Sequence, residues 1–470
     1  MTGARAIAPA GAAGRSGAAP RIAVVGAGWA GCAAAVELAE AGIQVTLIEA
    51  ARDAGGRARR IALHGETLDN GQHILIGAYV DTLALLARVG VPASALRRLP
   101  LRLDLPGQFS LALPRLPAPL HVLVGLATAR GLTPADKLGA LRWMIGCRLG
   151  GFRAPADMTV AQWIADAPER MRRLMLEPLC VAALNTRAEE ASAAVFARVL
   201  RDSLGAGRAA SDLLLPAVDL GALLPDASLA RLRERGAELH LGTRLTALTA
   251  PTYADSGWLC HAGAPLGRFD AVILATPPAT SAALLRTLPD AAPFAAALAA
   301  LDGFAYEPIA TVYFRADGLR LPAPMIALAE RPAAAEFGQF AFDRGALGLP
   351  DGRLAVVASG ARELLGLDHA ALIAGAARQL AGALGVAPER LDAARAAVVI
   401  DKRATFRCLP GLARTPVASG APGLFLAGDH ADPDYPATLE GAVRSGLRAA
   451  RAALATVRRA GAVQRPDLAA

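Results

Sequence analysis

Residues 21–60 constrain this chain more than any other stretch, because they read as one complete βαβ unit. A short apolar strand, Ile22-Ala23-Val24-Val25, runs directly into Gly26-Ala27-Gly28-Trp29-Ala30-Gly31. An alanine-rich helical stretch from Cys32 to Glu40 follows and stops at Gly42, a residue suited to a left-handed C-terminal cap. A second strand, Val45-Thr46-Leu47-Ile48, then ends on Glu49. In such a unit Gly26 permits the tight turn, Gly28 lets the backbone approach a pyrophosphate, and Gly31 lets helix and strand pack closely. Glu49, about 20 residues past the glycines, is placed to accept hydrogen bonds from a ribose. A lone GxGxxG is weak in a chain with 47 glycines. The preceding strand, the following helix and the terminal acid together predict a dinucleotide site, with NAD and FAD both open.

The next residues bear on that choice. Just beyond the second strand stands Gly55-Gly56-Arg57, and near the C-terminus the apolar run Leu424-Phe425-Leu426-Ala427 ends in Gly428-Asp429. Both resemble the flavin amine oxidase and phytoene desaturase superfamily. There the arginine lies against the FAD pyrophosphate and the aspartate binds the ribityl and phosphate portion. Three further segments narrow the resemblance: Asp69-Asn70-Gly71-Gln72-His73-Ile74-Leu75-Ile76-Gly77-Ala78-Tyr79, the run from Tyr306 to Tyr313, and Pro436-Ala437-Thr438-Leu439-Glu440-Gly441 onward to Gly446. These are similar to the hydroxysqualene dehydroxylases, also described as squalene-associated FAD-dependent desaturases, over about residues 21–455. One departure is visible, His430 where that family leads one to expect Trp.

The resemblance implies an α/β fold. A discontinuous Rossmann-type FAD-binding domain is expected from residues 21–80, 205–290 and 395–460, with an α+β substrate domain from 81–204 and 291–394. Glu238 to Leu248 reads as one strand, with Gly242-Thr243-Arg244-Leu245 near the adenine, and Asp270 to Pro278 as a buried strand and turn. Motifs and resemblance together place Gly26, Gly28, Trp29, Ala30, Gly31, Glu49, Ala50, Gly56, Arg57, Gly71, Gln72, His73, Leu245, Gly428, Asp429, Thr438 and Leu439 on a noncovalently held FAD.

Composition adds exclusions. The chain has 470 residues, enough for two cores. Hydrophobic residues reach 54%, but much of that is alanine, and Arg almost wholly replaces Lys, with only Lys137 and Lys402 present. The longest uncharged runs, 22–36 and 271–285, have 15 residues each, short of the ~18 that a spanning helix needs. Residues 1–20 lack the apolar core of a signal peptide and read as a disordered tail. Cys32, Cys147, Cys180, Cys260 and Cys408 are odd in number and widely spaced, so neither a disulfide framework nor a metal site is expected. Cys408 as a covalent flavin anchor is weighed against its reading as a buried hydrophobe. A reducing cytoplasm fits all five.

The formal charge of +8 is spread over scattered residues with only 4% aromatics, which argues against nucleic acid. In the segment 115–153 leucines, Trp143, Met144 and Ile145 mingle with Arg115, Arg130, Lys137, Arg142, Arg148 and Arg153. That pattern suits an interfacial membrane helix, and more readily a substrate-domain helix with a solvated basic face. A thirty-carbon isoprenoid substrate tips the reading toward peripheral attachment on the cytoplasmic face of the inner membrane.

The implied reaction is reductive removal of the hydroxyl of hydroxysqualene, giving squalene, with hydride from N5 of reduced flavin. It needs an electron donor for the flavin and a hydroxysqualene-forming synthase upstream. A poor leaving group calls for a general acid. Glu307 and His73 are the candidates, each also readable as structural. Other readings are a carotenoid desaturase, an amine oxidase, disfavoured because Lys137 and Lys402 lie far from the strand around Tyr306, and a non-catalytic flavoprotein.

Overall fold

The computed structural model describes residues 19–463 apart from 64, 253–255, 317 and 351. The tail expected over residues 1–20 falls outside these but for the last two positions. The apolar runs of the sequence become a five-stranded parallel sheet. Its strand order is Glu238–His240, Gln44–Ile48, Arg21–Val25, Ala271–Leu274, Leu424–Leu426. Alternation along Arg21–Val25 divides its side chains between two cores: Ile22 and Val24 pack in one, Ala23 and Val25 in the other. Both faces are buried, which is why these strands read as continuous apolar runs.

On one face lie the helices Trp29–Glu40 and Leu439–Val463, and on the other the antiparallel strands Ala247–Thr249, Trp258–Ala262 and Ala264–Phe269. The single strand expected over 238–248 is thus two strands in different sheets. The turn at Gly242, with φ +69°, breaks it, and only Glu238–His240 pairs with Gln44–Ile48.

A second, antiparallel sheet has the order Met325–Ala327, Phe340–Asp343, Leu354–Ser359, Tyr306–Arg315, Asp392–Phe406. The long strand Asp392–Phe406 pairs only here among the described residues, so residues 395–406 lie outside the parallel sheet. Helix His369–Leu384 covers one face, where Val312, Phe314 and Val356 meet Leu380. The other face, with Tyr313, Phe340 and Val357, packs on the helical segment that includes Met175, Leu184 and Phe196. The 115–153 region is two helices, Leu120–Thr128 and Pro134–Leu149. Pro134 at the first turn and a reciprocal Thr133–Asp136 capping box start the second one afresh.

Candidate active site

The parallel sheet presents the carboxyl ends of its strands to one elongated cavity of about 650 Å³. Gly26 opens the turn after the first strand at φ +101°, and a Cβ there would stand 2.5 Å from the Ala275 carbonyl oxygen. Gly31 does not line the cavity; its hydrogen faces the Gly26 carbonyl, and it lets the helix close on the turn. The helix Trp29–Glu40 begins at Gly28 with no side-chain cap and no acid in its first turn. Its free amides border the cavity, the arrangement that suits a phosphate. Trp29, beside them, donates through Nε1 to the Ala58 carbonyl at 3.0 Å. Glu49 is fixed by two backbone amides, Ala27 N at 2.7 Å and Ala51 N at 2.8 Å. Ala50, Thr243 and Leu245 stand at the same end of the cavity wall.

Some 370 residues of chain separate Arg57 from Asp429, yet their side chains meet at 2.7 Å. Burial alone would raise the Asp429 carboxyl; the Arg57 guanidinium overrides this and holds it below the usual carboxylate range. Arg57 also donates to the Ala404 carbonyl at 2.8 Å, and Gly428 N donates to Ser445 Oγ at 2.9 Å, tying the loop to the C-terminal helix. Gly56, Gly71, Gln72, His73, Thr438 and Leu439 complete the wall. Of the seventeen residues expected to touch cofactor, all but Gly31 line this one cavity.

The two candidate acids part company. His73 lines the cavity, with Nδ1 3.0 Å from the Gly71 carbonyl oxygen. A carbonyl only accepts, so Nδ1 carries the proton and neutral His73 offers Nε2 as an acceptor. Burial holds its pKa below the ordinary imidazole value, against the Gly71 hydrogen bond. Glu307 is absent from the lining. Its Oε1 lies 3.3 Å from Arg407 Nε and 3.5 Å from Arg362 Nε, and both arginines also pair with Glu190. Pro308 and a register shift between Glu307 and Ile309 interrupt the alternation, so Ile309 reaches the cavity while Glu307 turns into this ionic cluster. Cys408 is buried and likewise absent from the lining. Among the described residues no cluster of three or more His, Cys, Asp or Glu is arranged to hold a metal ion.

A feature without a sequence motif adjoins this cavity. A second chamber of about 150 Å³ is walled mainly by apolar side chains, among them Leu101, Leu103, Leu179, Phe196, Leu200 and Met325. It shares part of its wall with the first. These residues come from four separate stretches, so no local pattern could have announced it.

Comparison with known proteins fits this geometry. The pattern of the flavin containing amine oxidoreductases matches residues 29–454. Hydroxysqualene dehydroxylase of Rhodopseudomonas palustris is 32% identical, the alignment covering 93% of this chain and 98% of that protein. The chain belongs to the hydroxysqualene dehydroxylase family. The family's Sinorhizobium fredii protein is 29% identical over 92% of this chain and 97% of its own. A putrescine oxidase structure superimposes with a TM-score of 0.65 at 17% identity, covering 93% of this chain and 99% of its own, a likeness of fold. The chain is therefore a flavin-dependent oxidoreductase of the amine oxidase fold. His430 occupies the position after Gly428-Asp429 and is buried against Gly428.

Proposed function

We propose that the chain binds FAD noncovalently and replaces the allylic hydroxyl of hydroxysqualene by hydride, giving squalene and water. The observation that carries this reading is the apolar chamber opening beside the nucleotide cavity. Its mainly apolar wall suits part of a long isoprenoid chain. The hydroxysqualene dehydroxylase relatives, aligned over nearly the whole chain, support it.

In this reading the parallel-sheet segments form the FAD-binding domain, and the remainder, with residues 395–406 added, forms the substrate domain. The uncapped helix start at Gly28 and the Arg57–Asp429 pair hold the phosphates and ribityl, Glu49 the ribose, Leu245 the adenine side, and Thr438 and Leu439 the ring end. Reduced FAD supplies a hydride at its ring N5. The chain's own residues orient the allylic carbon, keep water away from it and stabilise the leaving oxygen. Neutral His73, with its acceptor nitrogen free, suits proton removal or a hydrogen bond to the ring better than proton donation. Anaerobic, dithionite-reduced protein should convert hydroxysqualene to squalene. Deuteride placed on N5 should appear at the carbon that bore the hydroxyl or at its allylic partner. Squalene formed without label would remove direct hydride delivery, and preferential desaturation of phytoene would make the chain a carotenoid desaturase.

The substrate also argues for peripheral attachment to the cytoplasmic face of the inner membrane. Carrying thirty carbons from lipid through water costs on the order of 20 kcal/mol at ~0.8 kcal/mol per CH2. No helix among the described residues is long and apolar enough to cross a membrane. Four of the six large exposed hydrophobic residues among those described nevertheless lie on one helix pair: Leu120, Leu138, Ile145 and Leu149, the last 84% exposed. Leu138, Ile145 and Leu149 follow helical spacing along one face, beside Arg142. The protein should sediment with membranes and be released by detergent more fully than by high salt, since apolar insertion is not screened. Ile145→Asp with Leu149→Asp should shift it to the supernatant; an unchanged distribution would place attachment elsewhere. An electron donor for the flavin and a synthase supplying hydroxysqualene are the partners this function requires.

A further inference from the structure

The two cavities meet along a short stretch of wall. Six described residues, Ile74, Tyr79, Ala182, Ala183, Phe340 and Thr438, line both. Four of them offer hydrocarbon side chains only. Tyr79 and Thr438 carry hydroxyls, and the fold brings these two residues, some 360 apart in sequence, to the same shared wall.

Their juxtaposition is built rather than incidental. Tyr79 immediately precedes the helix Val80–Arg88, whose first amides, Asp81 N and Thr82 N, donate to the Glu440 carboxylate at 3.1 and 2.9 Å. Glu440 is fully buried and lies in the first turn of the helix Leu439–Val463, directly after Thr438. Thr438 Oγ1 in turn accepts from Gly441 N at 3.1 Å and donates to the Pro436 carbonyl at 3.3 Å, so toward a ligand it can act as an acceptor. One carboxylate therefore ties two helix starts together and sets the phenol against the threonine.

Burial of hydrocarbon is non-directional, so an apolar chamber by itself does not fix which carbon of a polyene stands at its mouth. A substrate with one hydroxyl carries one directional group, and taking that group out of water is costly unless it is hydrogen-bonded. The other phenol on the apolar chamber, Tyr435, is committed elsewhere: it donates to Asp202 at 2.6 Å, and Arg198 and Arg201 hold that carboxylate. Resting on the dehydroxylase reading, we propose that Tyr79 and Thr438 form the subsite for the substrate's hydroxyl at the junction of the two cavities, fixing the reacting carbon against the ring end of the flavin. Burial, together with Glu440, pushes the Tyr79 phenol well above its ordinary value despite the Thr438 contact, so it stays protonated and able to donate.

The test compares wild-type, Tyr79→Phe and Thr438→Val holoproteins by ligand-induced change in flavin fluorescence. The two ligands are hydroxysqualene and squalene, which differ by the hydroxyl alone. Wild type should bind hydroxysqualene about tenfold tighter, the scale of one well-made hydrogen bond, and each variant should bind the two about equally. Tyr79→Phe should keep its flavin content and its squalene affinity, and KM for hydroxysqualene should rise with the loss of preference. If Tyr79→Phe does not retain flavin, the flavin-loaded fraction of Thr438→Val decides. A preference kept in the variants, with wild type still turning hydroxysqualene over, overturns the subsite and leaves the dehydroxylase reading standing. Wild-type protein that binds neither ligand overturns both.

Discussion

Gly31→Ala should yield a protein without flavin. A Cβ at this position would stand 1.8 Å from the Gly26 carbonyl oxygen and 2.9 Å from its carbon, with the Ala275 methyl at 3.3 Å. The first two obstacles are backbone, so no rotamer change relieves them. Either the helix Trp29–Glu40 lifts away from the strand Arg21–Val25 or the Gly26 turn opens. Each movement displaces the amides that border the nucleotide cavity. The clash exceeds the ~1 to 3 kcal/mol of ordinary overpacking, because rigid elements rather than side chains must give way. Gly42→Ala is the matched control. It has no atom within 4 Å of the added methyl and only the φ of +82° to oppose it. It should lose about 1 kcal/mol of stability and keep its flavin. The ratio of flavin to protein absorbance after purification measures both, and near-stoichiometric flavin on Gly31→Ala would refute the packing argument.

That unit was legible because each of its parts is local: an apolar strand, glycines at fixed offsets, a helix, a second strand and an acid within 40 residues. Arg57 and Asp429 were legible for another reason, since each ends or follows an apolar strand in a recognisable motif, although only the fold brings them to 2.7 Å. The failures share a cause. Glu307 was a candidate acid as a carboxyl beside Tyr306, with a structural reading beside it, and Pro308 and the adjoining register shift turn it away from the cavity. The strand expected over 238–248 ignored Gly242, the turn residue in its middle. In the 115–153 region Thr133-Pro134 carried a visible helix start, which composition alone passed over. Tyr79 and Thr438 both stood in segments singled out by resemblance. Their meeting depends on Glu440 capping a helix that begins 360 residues earlier, and no local pattern encodes that. The apolar chamber, assembled from scattered leucines and phenylalanines, is a property of packing alone.

His430→Phe should flatten the acid side of the stability curve. His430 is 1% exposed, its Nδ1 lies 3.0 Å from Thr415 Oγ1, and its Nε2 has no hydrogen-bond partner. Its ring abuts Gly428 and the Phe304 ring, and the charges of Asp429, Arg57 and Arg414 act on it. Burial lowers its pKa to about 4, assisted by Arg57 and opposed by Asp429. Between about pH 6.5 and pH 4 the unfolded chain therefore takes up a proton that the native chain refuses, and stability falls as pH drops through that window. A depression of this size corresponds to about 3 kcal/mol, fully lost near the lower limit. The Asp429 carboxyl, also depressed, has the same sign but acts at lower pH, as its own folded value is crossed, and the substitution leaves Arg57 in place to hold it. His73, lowered by burial, contributes in the same direction and remains in the variant. Phenylalanine leaves Thr415 without its partner and should cost about 1 kcal/mol at pH 8. The two proteins should therefore cross: the variant is less stable at pH 8 and more stable near pH 4. Denaturant unfolding at fixed excess flavin, repeated from pH 8 to pH 4, measures the crossing, and parallel curves over that range would show that the imidazole is not excluded from protonation in the folded chain.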